Sequence, residues 1–186
     1  MNAKITVVRP DLEEAIAAPT SIAARRPVGN GARLLLIDNG KPKARDLLQM
    51  IAEELGHLVP LRSVETISKS TAVFPITAEV AHDIAERADL VIAGLGDCGA
   101  CSACSLHDAI QMENLGIPST VVISDAFVGH IAKFASNLGM PNYHSLVVPH
   151  PVASRDEAHL RRLAVGVAAP ARDQLFETAK VFAEAT

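Results

Sequence analysis

Between Arg33 and Val148 the chain repeats one unit, a short apolar run followed by a segment of helical spacing, and this alternation restricts the fold more than any other feature. The first run, Leu34-Leu35-Leu36-Ile37, contains no polar residue. Successive side chains of a strand point to opposite faces, so an uninterrupted apolar run implies a strand covered on both sides, as in a parallel sheet. Asp38-Asn39-Gly40-Lys41-Pro42 reads as a loop, and residues 43–56 then place Leu47, Leu48, Ile51 and Leu55 at helical spacing before Gly56 stops them. The same reading predicts a weak strand over 58–64, a long polar connection through Pro75, and a helix opened by Thr77 that runs to about Ala88. A strand at 89–93, a helix over 102–115, a strand at 119–123, a helix over 126–138 and a strand at 146–148 follow. Ser154-Arg155-Asp156-Glu157 has the form of a capping box and predicts a helix that, with another over 170–184, closes the chain. Such alternation predicts an α/β fold, a three-layer sandwich around a mainly parallel sheet of about five strands.

Five core strands favour a flavodoxin-like order over a full dinucleotide-binding sheet. Residues 1–31 read as an N-terminal extension or arm, with an apolar run at Ile5-Thr6-Val7-Val8 and an end at Gly29-Asn30-Gly31. Residues 32–186 then form a single α/β domain, a size that suits one buried core. The net charge is −4, no Lys/Arg run exceeds a pair, and there is no Trp and one Tyr, so a nucleic-acid footprint is not expected. No apolar run approaches the roughly 18 residues of a membrane span, and the first residues lack the apolar core of a signal peptide. The expected location is the cytoplasm, where clustered cysteines point to catalysis or metal binding rather than to structural disulfides.

All three cysteines fall within Leu95-Gly96-Asp97-Cys98-Gly99-Ala100-Cys101-Ser102-Ala103-Cys104, directly after a predicted strand. In an open parallel sheet, ligands bind outside the carboxyl ends of the strands. The loops there supply Asp38, Asn39 and Lys41, then Asp97, Cys98 and Cys101, then Ser124, Asp125 and Phe127, then His150 and Pro151. At a strand-to-helix junction the free N–H groups and the helix dipole stabilise a thiolate, lowering a thiol pKa from about 8.5 toward 7. Asp97 opposes that shift and is a candidate proton relay. Two readings compete. Cys98 and Cys101 form a redox dithiol, or Cys98, Cys101, Cys104 and His107 hold zinc or an iron–sulfur cluster. A helix begun near Ser102 swings Cys104 and His107 away from Cys98, which favours the dithiol, with Cys104 as a core residue and no metal or other cofactor expected. Asp38-Asn39 also reads as a plain turn and helix cap, Lys41 as a solvated cation, and His150 as a structural histidine. His57, His82, His130, His144 and His159 have no neighbours in sequence that argue for chemistry.

Four segments, IDNGKPKARDLL (37–48), GDCGACS (96–102), NLGIPSTVVISDAF (114–127) and PHP (149–151), resemble the selenocysteine-Gly-Ser-Cys (UGSC) motif family over roughly residues 33–165. The redox segment is similar to the selenocysteine motif of glycine/betaine reductase component B. This resemblance implies that Cys98 takes the selenocysteine position and Cys101 resolves the adduct, with Ala100 in place of Ser and Cys104 additional. It implies a thiol–disulfide oxidoreductase or reductive bond cleavage. Cys98 would attack a small electrophilic or disulfide substrate and His150 would give the proton. Asp38, Asn39, Lys41, Asp97, Ser124 and Phe127 would line the substrate cavity. A thioredoxin-like reductant and a homo-oligomer are the expected partners. The alternatives are the metal module, a cysteine lyase or hydrolase without net redox change, and a thiol sensor.

Overall fold

The computed structural model describes residues 19–25 and 30–176; the expected run at Ile5–Val8 and the end of the last predicted helix lie outside them. Five parallel strands form one sheet in the order β2-β1-β3-β4-β5. They are β1 (Ala32–Asp38), β2 (Leu61–Ser68), β3 (Leu90–Gly96), β4 (Ser119–Ser124) and β5 (Leu146–Val148). The helices are α1 (Ala44–Gly56), α2 (Ala78–Arg87), α3 (Gly99–Asn114), α4 (Val128–Asn137) and α5 (Glu157–Phe176), with a 3₁₀ turn at Asp125–Phe127 before α4.

The central strands are apolar throughout because each one faces two cores. Leu34, Leu36, Leu90, Ile92 and Val122 turn toward α1 and α5, where Leu48, Ile51, Leu160 and Ala164 meet them. Their neighbours Leu35, Ile37, Val91, Ala93, Val121 and Ile123 turn toward α2, α3 and α4, against Ile84, Leu106, Ile110 and Ile131. This is the flavodoxin-like order expected from the strand count. From β1 the chain winds one way to β2 and the other way to β3, so the loops after β1 and β3 part and leave a crevice at the sheet's carboxyl edge.

Residues 19–25 lie against the opposite end. Glu113, buried at the end of α3, accepts from Ala23 N at 2.6 Å, from Ser119 N at 2.8 Å and from both terminal nitrogens of Arg25, at 2.8 and 2.7 Å. Arg25 also donates to Gln174 O at 2.8 Å, joining this segment to α5. Tyr143 packs beside them, and burial pushes its phenol well above the ordinary range.

Four of the differences from the sequence reading have a local reason. The strand expected at 58–64 is β2 at Leu61–Ser68, because residues up to Pro60 complete a turn after α1 with Leu58 N and Val59 N on Leu55 O. The helix expected from 102 begins at Gly99, since a cysteine caps it. The cap of α5 is Asp156, whose Oδ1 accepts from His159 N at 2.8 Å; Ser154 is still in a turn closed by Arg155 N on Val152 O. α5 also runs through Pro170 without the break expected there. The carbonyl a proline displaces is four residues back, at Gly166, and both residues are exposed, which leaves that carbonyl open to solvent while Val167, Ala171 and Leu175 stay packed on α1.

Candidate functional site

α3 starts where β3 ends, and its first residues hold the cysteine pair. Cys98 and Cys101 are joined by a disulfide, with their Cα atoms 5.4 Å apart. Cys98 is the N-cap in extended conformation, and its sulfur accepts from Cys101 N at 3.3 Å, as an oxygen does in an ordinary cap. Ser102 secures the turn from below, with N and Oγ on Cys98 O at 2.9 and 2.6 Å. Cys98 is half-buried and Cys101 fully buried, so a partner meets Cys98 first. Cys104 is free and half-buried in the next turn; burial pushes its thiol up, only partly offset by Lys69.

The residue before the N-cap ties this turn to the far side of the sheet. Asp97 Oδ2 accepts from Val152 N at 3.1 Å and Ala153 N at 3.2 Å, while Oδ1 faces His150 Nδ1 at 2.8 Å. Ser124 Oγ is also 3.1 Å from that nitrogen, and Ser124 donates its own hydrogen to Gly96 O at 3.2 Å. Both neighbours of Nδ1 are therefore acceptors, so the proton sits on Nδ1 and Nε2 is left with its lone pair in the neutral ring. No described residue partners Nε2. Asp125 Oδ1 accepts from His150 N at 3.1 Å, and Phe127 meets the imidazole edge-on at 5.6 Å between ring centres. The His150–Pro151 peptide is cis.

Four of the expected site residues thus meet around one ring, Asp97, Ser124, Phe127 and His150, and the Cys98–Cys101 pair follows directly after Asp97. Their tasks differ. Asp97 and Ser124 spend their oxygens on His150 and on backbone, which makes them positioning residues for the ring. Asp38 and Asn39 turn inward and are almost completely buried. Asp38 accepts from Gly40 N and Ser68 Oγ, at 2.9 and 2.8 Å. Asn39 Nδ2 donates to Leu95 O at 2.8 Å and Ser105 Oγ at 3.0 Å, pinning the loop after β1 to β3 and α3. The half-buried Lys41 gives its backbone N–H to Asn39 Oδ1 at 3.2 Å, and its ammonium has no ion-pair partner among the described residues.

Two contributors were missed in the sequence. The N–H groups of Val152 and Ala153 carry no sequence signal. His130 of α4 lies beside the first turn of α3, with Nε2 3.8 Å from where a Cβ on Gly99 would stand. The only hint is that Gly99, the residue directly after Cys98, has no side chain. Gly96 has a steric role as well, because a Cβ there would collide with Ile123 Cδ1 and stand 2.9 Å from Ser102 Oγ. Among the described residues no three His, Cys, Asp or Glu side chains are grouped as metal ligands, and no helix is long and apolar enough to cross a membrane.

Among solved structures the chain is similar to diflavin flavoprotein A3 from Nostoc sp., at 12% identity and a TM-score of 0.42, over 77% of this chain and 96% of that one. It is also similar to the flavodoxin-like domain of a Synechococcus sp. protein, at 12% identity and a TM-score of 0.39, over 74% of this chain and 96% of that one. A comparison with curated protein sequences gave no match. The sequence profile of the UGSC family matches residues 6–177, a span that contains the cysteine pair, Asp97 and His150. The chain belongs to the UGSC family.

Proposed function

We propose that this protein is a cysteine-dependent oxidoreductase that transfers two electrons from the Cys98/Cys101 dithiol to a small disulfide or electrophilic substrate. The observation that carries this reading is the disulfide at the first turn of α3, directly after Asp97, whose Oδ1 holds the imidazole Nδ1 of His150. In the reduced protein, His150 Nε2 takes the proton of the Cys98 thiol. The thiolate attacks one sulfur of the substrate, forming a mixed disulfide on Cys98 and expelling the other half as a thiolate, which the imidazolium protonates. Cys101 then loses its proton and attacks Cys98 Sγ, releasing the remaining half of the substrate as a thiol. The dithiol is now oxidised to the disulfide and the substrate reduced to two thiols. A thioredoxin-like dithiol protein restores the starting state. The half-buried Cys98 suits the attacking role and the buried Cys101 the resolving one.

The test mixes prereduced protein with oxidised glutathione and follows the products by mass. The wild type should release two glutathiones per chain and gain a Cys98–Cys101 disulfide. Cys101→Ser should stop at a glutathione adduct on Cys98, and His150→Gln should slow the first step by roughly 10²-fold. Cys98→Ser reacting at the wild-type rate would sink the proposal.

A further inference from the structure

A second space at the same edge of the sheet takes no part in this chemistry. Beyond β2, residues 69–77 arch over a cavity of about 390 Å³, within the usual range for a small ligand. One carboxylate holds the arch at both ends. Asp108, completely buried on α3, accepts from Lys69 Nζ at 2.5 Å and from Ile76 N at 2.7 Å. Ile67, Phe74, Ile76 and Val80 make the wall mostly apolar. Phe74 and Val73 are left 68% and 51% exposed at the crest of the arch, where no packing among the described residues explains them.

The lining also defines what fits. Lys69 is its only charged residue, and that ammonium is already paired, so neither an anion nor a cation finds a free counter-charge. Thr71 Oγ1 accepts from Val73 N and Thr77 Oγ1 from Val80 N, both at 3.3 Å. Each hydroxyl therefore still has its hydrogen to give, with no acceptor among the described residues. We propose that this cavity is a binding site for an uncharged small molecule with an apolar body and a carbonyl-type acceptor. It is independent of the thiol chemistry.

Acetophenone and benzoate serve as probes, matched in ring and differing in charge, titrated into the full chain with its Ile and Val methyls labelled for NMR. Acetophenone should shift the methyls of Ile67, Ile76 and Val80 saturably, and benzoate should bind at least about fivefold more weakly. Phe74→Ser should weaken acetophenone by a similar factor without lowering the melting temperature, because the ring is exposed in the free protein. Where Phe74→Ser alone is ambiguous, Thr77→Val tests the donor: it should remove the preference for acetophenone over toluene. Shifts confined to other methyls, equal binding of benzoate, or undiminished binding in both variants would overturn the assignment.

Discussion

Cys98 and Cys104 lie on one helix in opposed surroundings. The first has its sulfur on a helix-start N–H, that of Cys101, and the second has a thiol pushed up by burial. In reduced protein at pH 7, iodoacetamide should label Cys98 at least about tenfold faster than Cys104, as read by peptide mass over time. Equal rates would remove the distinction on which the attacking role rests. Gly96 makes a second test at this scale. A methyl there must displace Ile123 or Ser102, and Ser102 holds the Cys98 carbonyl. Gly96→Ala should cost about 1–3 kcal/mol in urea unfolding and change Cys98 alkylation more than the loss of stability alone explains.

Among the elements, α3 combines the most roles. Its start carries the dithiol, its middle holds Asp108, and its end holds Glu113. Removing Arg25 leaves the Glu113 carboxylate buried without its bidentate partner, so Arg25→Ala should lower stability by about 3–5 kcal/mol. Chemical denaturation of the full chain measures this, and a loss under about 1 kcal/mol would mean that water replaces the guanidinium. These roles also show what could be read in advance. The apolar runs of β1, β3 and β4 declare buried strands without ambiguity. The sequence alone puts the start of α3 three residues late, because a helix is usually opened by an oxygen and here sulfur does it. Asn39 sits in a loop that reads as solvent-facing, yet its amide is consumed by Leu95 and Ser105 across a gap in sequence that no local pattern reports. His150 was legible as a residue and as a position after β5, whereas its tautomer depends on Asp97 and Ser124 meeting it in space.

For the molecule as a whole, Arg33 at the start of β1 and Asp89 before β3 link the two central strands at their amino ends. The Arg33 hydrogen bonds hold the Asp89 carboxyl below its ordinary 3.8, against a smaller opposing effect of burial. A carboxyl depressed in the folded state contributes stability that is present above the unfolded value and is lost as pH falls through the folded one. Asp89→Asn should therefore cost about 0.5 kcal/mol at pH 7, small because the pair is a third exposed, and should flatten the acid limb of the melting curve below pH 4. An unchanged acid limb would show that other carboxylates govern unfolding there.

β5 is a strand of three residues at the edge of the sheet, paired among the described residues only with β4. The cysteines depend on β3, which is flanked by β1 and β4, but His150 stands two residues beyond β5. A three-residue edge strand should fray locally at lower free energy than the central β3, which divides the site between two parts that should open separately. Amides of β5 should exchange with solvent faster than those of β3. In mild urea, disulfide reduction should decline while far-ultraviolet circular dichroism is still native, and Cys98 should go on being alkylated. The unfolding of a single short strand would then disarm the site reversibly, with its dithiol still in place.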